Sequence, residues 1–213
     1  MIRGIQGYAE QVDELVDRYE SLEFTRKHEA VLHLLPDTPG LALDIGAGTG
    51  ADAAWLVERG YRVVAVEPMN EFRARGAALH PSQSIEWVND SFPKLELTLA
   101  RKQKFHLVVS TAVWMHLDQD ERRVAMPNVA SLLEPDGLLL MTLRHGPAPK
   151  GRTMFEVSVA ETIALARACG LQAVVSVLTP STHGVNLEAG IMWSRLAFVP
   201  ARNEPREATP NAA

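Results

Sequence analysis

Seven short apolar runs, most of them separated by helical patterns, constrain the fold of this chain more than any other feature. The runs occupy residues 41–45, 61–67, 84–88, 105–110, 137–143, 171–178 and 191–199. Most of them are continuously apolar rather than alternating, which is typical of strands that are covered on both faces. Helical patterns lie between many of the runs, at 51–60, 118–133 and 158–170. This alternation predicts an α/β fold with a mostly parallel sheet and helices on both sides.

The last two runs are connected differently from the others. Only residues 179–190 separate them, and this segment contains Pro180 and Gly184 but no helical pattern. Parallel neighbours need a longer crossover, whereas antiparallel strands accept a short connection. The sequence therefore predicts that the sheet has seven strands and ends in an antiparallel strand.

The first forty residues have a helical periodicity. Apolar side chains recur there at spacings of three and four, at Ile5, Tyr8, Val12, Leu15, Tyr19 and Leu22. A second helix is predicted from about Thr25 to Leu35, ending before Pro36. We therefore expect an N-terminal helical lid over 1–40, a main domain over 41–200 and a disordered tail over 201–213, which is rich in Pro, Asn and Ala.

Composition excludes several classes of protein. The chain of 213 residues carries a net charge of −5, which argues against non-specific nucleic-acid binding. No apolar run is long enough to span a membrane, and the N-terminus meets charge too early for a secretory signal. Cys169 is the single cysteine, so no internal disulfide forms and a reducing cytoplasm is the expected location. The histidines lack zinc-type spacing, so no metal is expected.

The segment LDIGAGTG at 43–50 follows a buried strand and opens a helix. Its glycines, Gly46, Gly48 and Gly50, allow a sharp turn and a close approach of the backbone to a ligand. Glu67 ends the next strand, where a carboxylate can accept hydrogen bonds from two ribose hydroxyls. This combination predicts a site for a nucleoside-bearing cofactor. Replacement of Glu67 by alanine is then expected to weaken cofactor binding and to leave the apo melting temperature nearly unchanged.

The glycines alone do not identify the cofactor, because Gly46, Gly48 and Ala51 also satisfy the loose dinucleotide pattern. Asp44 precedes them and would repel a pyrophosphate, whereas it can attract an ammonium group. Asp90, after the third strand, could accept a hydrogen bond from an adenine amino group. The terminal antiparallel pair is also unusual for dehydrogenases, so NAD is the weaker alternative.

Five ordered motifs resemble those of the class I S-adenosylmethionine-dependent methyltransferases, of the bacterial type that acts on small molecules. They are LDIGAGTG (43–50), VAVEP (64–68), VNDSF (88–92), FHLVVSTAVWMHL (105–117) and LLEPDGLLLMTLR (132–144). The resemblance extends from about 41 to 200. It implies a Rossmann-like fold whose seventh strand inserts antiparallel between the fifth and the sixth. It also implies S-adenosylmethionine as cofactor and S-adenosylhomocysteine as product.

The resemblance assigns a set of cofactor contacts. Asp44, Gly46 and Gly48 would line the methionine portion, Glu67 would hold the ribose, Met69 would lie near the adenine and Ser110 near the sulfonium. Asp90 and Ser91 would contact the adenine edge, and Ala47 and Pro68 complete the expected set. Each of four assignments has a structural alternative: Asp44 as a helix cap, Glu67 as a solvated strand end, Asp90 as a turn former and Met69 as helix core.

The acceptor side is expected beyond the ends of strands four, five and six. His116 or His145 could act as general base, because neutral imidazole titrates in the right range. Arg144 or Arg152 could hold a carboxylate of the acceptor. His116 could equally make a structural hydrogen bond, and Tyr8 and Tyr19 fit core packing better than ligand contact.

The sequence thus predicts methyl transfer from S-adenosylmethionine to a small-molecule acceptor by in-line displacement. Two alternatives stay open: a protein that binds S-adenosylmethionine as a sensor or scaffold without turnover, and an NAD-dependent oxidoreductase. The partner expected is the small-molecule acceptor, with no nucleic acid and no membrane.

Overall fold

The computed structural model of the protein describes residues 7–8 and 11–201. Seven strands form one sheet in the order β3-β2-β1-β4-β5-β7-β6. Their bounds are β1 Leu41–Ile45, β2 Arg62–Val66, β3 Ile85–Val88, β4 Phe105–Ser110, β5 Leu133–His145, β6 Leu171–Pro180 and β7 Met192–Pro200. Strand β7 pairs antiparallel with both β5 and β6, whereas the other pairs are parallel. The predicted sheet, with its antiparallel seventh strand inserted between the fifth and sixth, is confirmed.

Helices cover both faces of the sheet, as predicted. They are α1 Val12–Glu20, α2 Phe24–His28, α3 Ala51–Val57, α4 Asn70–Leu79, α5 Glu96–Ala100, α6 Gln119–Leu132, α7 Val159–Ala168 and α8 Gly184–Glu188. Two 3₁₀ segments occur at Glu29–Leu34 and Trp114–His116. None of the helices in the described part of the chain is long and apolar enough to cross a membrane.

Alternate residues of the central strands contribute to two separate apolar clusters. On β1, Leu43 and Ile45 join the cluster that includes Met126 of α6. Ala42 lies in the other cluster, which includes Leu56 of α3. Since both faces are buried, the strands carry continuous apolar runs, and each fully buried large aliphatic side chain contributes about 1.5–3 kcal/mol.

The structure differs from the sequence-based expectation at two elements. The predicted second helix is a short α2 followed by a 3₁₀ segment. The connection between β6 and β7 contains the five-residue α8, although no helical periodicity was found there. Helix α6 agrees with the predicted helical pattern at 118–133 and contains Pro127, and its Asp118–Glu121 capping box and its packing onto the sheet stabilise the rest of the helix.

The N-terminal helix α1 packs against α4, and both lie near the glycine loop. Leu15 of α1 joins Met69 and Phe72 in a third apolar cluster. Asp13 of α1 also pairs with Arg75 of α4 at 2.6 Å. Helix α1, in the region predicted as a lid, is therefore fixed against α4, and the division into a lid and a main domain stays a prediction. Ile5 of the predicted stripe and residues 202–213 of the predicted tail lie outside the described residues.

Candidate active site

The glycine loop connects the end of β1 to α3 through left-handed backbone conformations. The φ angle is +76° at Gly46, +56° at Gly48 and +82° at Gly50. A Cβ atom at Gly46 would lie 2.3 Å from Cγ2 of Val113, so a larger residue would meet both strain and a clash. The Gly46 N–H donates to the carbonyl of Val66 at 2.8 Å, which fixes the loop to the end of β2.

Glu67 is the buried carboxylate that holds this loop, with its side chain only 6 % exposed. Its Oε2 accepts from the Gly48 N–H and its Oε1 from the Met69 N–H, both at 2.9 Å. Burial raises the pKa of Glu67, and the two amide hydrogen bonds oppose that rise. A carboxylate has about four acceptor positions, so two remain for a ligand. Glu67 is therefore not a solvated strand end. Removal of its carboxylate should lower the stability of the fold as well as the affinity for the cofactor, contrary to the expectation from the sequence.

Asp44 is buried at the end of β1 and is incompletely hydrogen-bonded. Its Oδ2 has no partner among the described residues, and the same holds for Thr49 Oγ1 and Ser110 Oγ. Burial raises the pKa of Asp44 well above its ordinary value, and the Asp52 charge adds to the effect. Gly50 is the N-cap residue of α3, and Asp44 Oδ2 accepts no N–H of the described residues, so a capping bond through that oxygen is not observed. Unpartnered buried polar atoms are costly, and their grouping here indicates a place for a polar ligand.

Asp90 and Ser91 follow the end of β3 and line the same cavity as Gly46 and Gly48 of the glycine loop. Oδ2 of Asp90 accepts from both the backbone N–H and the hydroxyl of Thr98, each at 2.8 Å. Its Oδ1 accepts from the Ser91 N–H at 2.8 Å. Asp90 therefore fixes the segment that leads into α5, as its turn-forming alternative suggested, and its contact with adenine stays a prediction.

A cavity of about 510 Å³ opens beside these residues; we refer to it as the larger cavity. Seven of the ten predicted cofactor residues line it: Gly46, Gly48, Glu67, Pro68, Met69, Asp90 and Ser91. Met69 also packs in the apolar cluster below α1, so its core alternative holds as well. Asp44 and Ser110 are buried at the ends of β1 and β4, and Ala47 lines a second cavity instead.

The second cavity, of about 180 Å³, is the smaller cavity. Tyr8, Tyr19 and Ala112 line both cavities, so the two meet at these residues. Tyr8 and Tyr19 also contact Phe72, so they combine packing with cavity lining. The smaller cavity lies between the lid, β5, β7 and the connection after β6.

Sequence reasoning missed several residues that line the smaller cavity: Arg18, Lys27, Asp52 and Arg195. Arg195 could have been recognised from the sequence, because it is a charged residue within the apolar run of β7. Lys27 pairs with Asp52, and this pairing holds the pKa of Asp52 low despite its burial. Thr111 donates to Asp52 Oδ2 at 3.1 Å, which connects the start of α3 to the end of β4.

His116 lines the larger cavity and contacts the lid. Its Nδ1 lies 3.0 Å from the Thr153 carbonyl, so Nδ1 carries the proton in the neutral ring. Its Nε2 lies 3.0 Å from the Tyr8 hydroxyl, which therefore donates to Nε2. Burial lowers the pKa of His116. The arrangement leaves Nε2 able to accept a proton through Tyr8, at the residue where the two cavities meet.

Arg144 and His145, predicted as a pair, both line a third cavity of about 340 Å³, but only Arg144 also reaches the smaller cavity. Arg144 lines the smaller cavity, together with Thr142 two residues earlier. His145 is not among the residues that line it, and its Nε2 lies 2.7 Å from the Ser194 hydroxyl. Successive side chains of a strand point to opposite faces, which agrees with only one of the two residues lining the smaller cavity. A catalytic role for His145 stays a prediction, and the geometry favours His116.

One cluster at the other end of the sheet was also missed. Ligand atoms of His106, Glu134 and Asp136 lie within 4.8 Å of one another. Nδ1 of His106 is 3.0 Å from Glu134 Oε2, so a hydrogen bond accounts for the contact. The cluster is far along the chain from the glycine loop and does not contribute to the two cavities.

Comparison with known proteins relates the chain to methyltransferases. Residues 42–137 match the model of a family described as a methyltransferase domain. An uncharacterized methyltransferase of Mycobacterium bovis is 33 % identical over 125 residues, which cover 58 % of this chain and 48 % of that protein. Glycine N-methyltransferase of Mus musculus is 28 % identical over 133 residues, which cover 53 % of this chain and 45 % of that enzyme. The chain thus spans about half the length of the curated relatives it matches.

Among solved structures, the chain resembles 1,6-didemethyltoxoflavin-N1-methyltransferase of Burkholderia thailandensis, crystallised with 1,6-didemethyltoxoflavin and S-adenosylhomocysteine. The TM-score is 0.70 at 21 % sequence identity, with 92 % of this chain and 86 % of that chain covered. At this identity the likeness shows a shared fold.

Proposed function

Since this chain belongs to the class I S-adenosylmethionine-dependent methyltransferases, we propose that it transfers a methyl group from S-adenosylmethionine to a small-molecule acceptor. The observation that carries the proposal is the junction of the two cavities at Tyr8, Tyr19 and Ala112. A cofactor in the larger cavity and an acceptor in the smaller one would meet there, as in-line transfer requires.

The residues around the larger cavity fit this cofactor. Glu67 retains acceptor positions for the ribose hydroxyls, and its two amide bonds keep it in place. Asp44 is a buried carboxylate with an unpartnered oxygen, which suits a cationic ammonium group better than a pyrophosphate. The Ser110 hydroxyl, also unpartnered, lies at the end of β4, two residues before Ala112 of the junction. S-adenosylmethionine supplies the activated methyl group when bound.

The chain's own residues then align the acceptor and handle its proton. Tyr19 lies over the glycine loop: a Cβ atom at Gly48 would be 3.3 Å from its ring. Helix α1 thus covers the junction and keeps water from it. The Tyr8 hydroxyl donates to Nε2 of His116, so a proton leaving the acceptor passes to Tyr8 while the Tyr8 proton moves to His116.

The relatives support a small-molecule acceptor. The Burkholderia thailandensis enzyme is crystallised with such an acceptor, and one curated relative is named for glycine as its substrate. A cytoplasmic location and the absence of nucleic-acid partners remain predictions.

Turnover with labelled cofactor tests the proposal. S-adenosylmethionine carrying a labelled methyl group is incubated with the chain and fractionated pools of small metabolites. We expect label to appear in a small molecule and S-adenosylhomocysteine to accumulate in proportion. Binding of the cofactor without transfer to any pool would instead favour the sensor or scaffold alternative.

The affinity for S-adenosylhomocysteine is expected to increase with pH through the raised pKa of Asp44. The ammonium group of the ligand stabilises the Asp44 carboxylate, so binding releases a proton wherever apo Asp44 is protonated. Binding therefore weakens on the acidic side of that pKa and levels off above it. Calorimetric titrations over mildly acidic to neutral pH measure this dependence.

Asp44→Asn should weaken binding and make the pH dependence shallower. Some dependence remains in this variant, because burial also raises the pKa of Glu67. Asp37→Asn is the matched control, since Asp37 is exposed and lines neither cavity. The same pH profile in wild type and Asp44→Asn would refute a contact between Asp44 and the ammonium group.

A further inference from the structure

The smaller cavity is strongly cationic, although the chain as a whole has a net charge of −5. Asp52 is the one acidic side chain among its lining residues in the described structure, and it is paired with Lys27. Five cationic side chains line the same cavity: Arg18, Lys27, Arg144, Arg152 and Arg195. The lining of the smaller cavity therefore carries an excess of positive charge that side chains of the cavity itself do not balance.

Two of the five cations are engaged by the protein itself. Lys27 forms the ion pair with Asp52. The Arg195 guanidinium, on β7, donates to the Lys27 carbonyl and to the Thr179 hydroxyl. These groups hold α2 against the sheet and so have a structural role.

The other three, Arg18, Arg144 and Arg152, have no carboxylate partner in the described part of the chain. They come from three elements: α1, the end of β5 and the loop before α7. Arg144 uses only one nitrogen, Nη1, which donates to the carbonyls of Pro147 at 2.8 Å and Gly146 at 3.3 Å. Its other donors stay available to a ligand.

Arg152 is placed by the lid but is also incompletely satisfied. Its guanidinium lies over the Tyr8 ring, with 4.4 Å between its central carbon and the ring centroid. Its Nη2 donates to Gln11 Oε1 at 3.0 Å. Its Nε is buried and has no partner among the described residues, and the same is true of His183 Nδ1 in this cavity.

Three guanidinium groups around one cavity repel one another in the absence of a counter-charge. Burial and the charges of Arg18 and Arg152 together lower the pKa of Arg144. A bound anion would offset this repulsion and accept the unused donors, because guanidinium groups form paired hydrogen bonds with carboxylates and phosphates.

We propose that the methyl acceptor carries an anionic group, a carboxylate or a phosphate, which Arg18, Arg144 and Arg152 bind in the smaller cavity. This inference rests on the proposed function and names the chemical class of its acceptor. The anion lies at the arginine side of the cavity, and the reacting atom faces Tyr8 and Ala112, where the larger cavity begins. Because Arg18 belongs to α1, the anion also connects the lid to β5.

Three probes test the site without turnover. Benzoate and benzamide have nearly the same shape and differ in charge, and inorganic phosphate represents the other source of the anion. Each is titrated into the full chain by calorimetry in a low-chloride buffer, with and without S-adenosylhomocysteine. We expect benzoate or phosphate to bind at least tenfold more tightly than benzamide, and the anion that binds identifies the source.

The arginine variants connect this binding to the cavity. Arg144→Gln and Arg18→Gln should each weaken binding of the anion by about tenfold, and Arg144→Lys should restore part of the loss. Arg167→Gln is the matched control, because Arg167 is exposed on α7 and lines neither cavity. Melting temperatures verify folding, and Arg18→Gln, on the partly exposed lid helix, provides a reading if Arg144→Gln unfolds.

Equal binding of benzoate and benzamide, absence of binding by both anions, or wild-type anion binding in the Arg18 and Arg144 variants would overturn the proposal. Failure of the methyltransferase proposal has a different signature. In that case S-adenosylhomocysteine would not bind, or labelled S-adenosylmethionine would give no labelled product, whereas anion binding and its dependence on the arginines would persist.

Discussion

Glu67→Ala is expected to weaken binding of S-adenosylhomocysteine by at least tenfold and to lower the melting temperature of the apo protein. A charge-assisted hydrogen bond contributes about 1.5–3 kcal/mol, and up to two such bonds to the ribose are lost. The Gly48 and Met69 N–H groups also lose their acceptor. Each kcal/mol of lost stability lowers the melting temperature of a chain of this size by about 2–4 °C.

Calorimetry and thermal unfolding on the same preparations measure both effects. Glu58→Ala is the matched control, since Glu58 is an exposed carboxylate after α3 and lines neither cavity. Unchanged affinity in Glu67→Ala, with a lowered melting temperature, would assign Glu67 a purely structural role in holding the glycine loop.

Replacement of His116 by asparagine is expected to reduce turnover by about a hundredfold, as for loss of a general base. Tyr8→Phe should reduce turnover similarly, because the Tyr8 hydroxyl lies between Nε2 of His116 and the cavity junction. The affinity for S-adenosylhomocysteine should change little in both variants. Since burial lowers the pKa of His116, the base stays neutral to lower pH, and the acidic limb of the rate profile lies below the ordinary histidine range.

Rate profiles against pH, measured on wild type and variants, examine this proton path. His33→Asn serves as control, because His33 is exposed and lines neither cavity. Wild-type turnover in His116→Asn combined with loss of activity in His145→Asn would assign the base to His145 at the end of β5. Wild-type turnover in both would mean that the acceptor reacts without a protein base.

Much of the fold could be predicted from the sequence because both faces of the sheet are buried. Continuous apolar runs such as 41–45 and 105–110 give strands with those bounds in the structure. The short connection at 179–190 correctly indicated the antiparallel pair, since only a hairpin-type connection fits that length. Helix α8 was missed because five residues are too few to show a period.

The site was predictable where its chemistry is local in the sequence and not where it depends on distant segments. The glycine loop and Glu67 lie 19 residues apart on consecutive strands, and their contact follows from parallel pairing. Arg18 and Arg144 face the same cavity only because the lid folds over the sheet, so no local pattern reveals them. The hydrogen bonds from Thr98 to the Asp90 carboxylate could not be predicted either, because the sequence does not show where α5 begins.

The most direct test is a calorimetric comparison of S-adenosylhomocysteine with NAD on the wild-type chain. Asp44 and Glu67 border the glycine loop with buried carboxylates, which favour an ammonium group and a ribose and disfavour a pyrophosphate. We expect S-adenosylhomocysteine to bind at one site in the micromolar range and NAD to give no measurable heat. Binding of NAD at similar strength, with no signal from S-adenosylhomocysteine, would contradict the assignment of the larger cavity to S-adenosylmethionine.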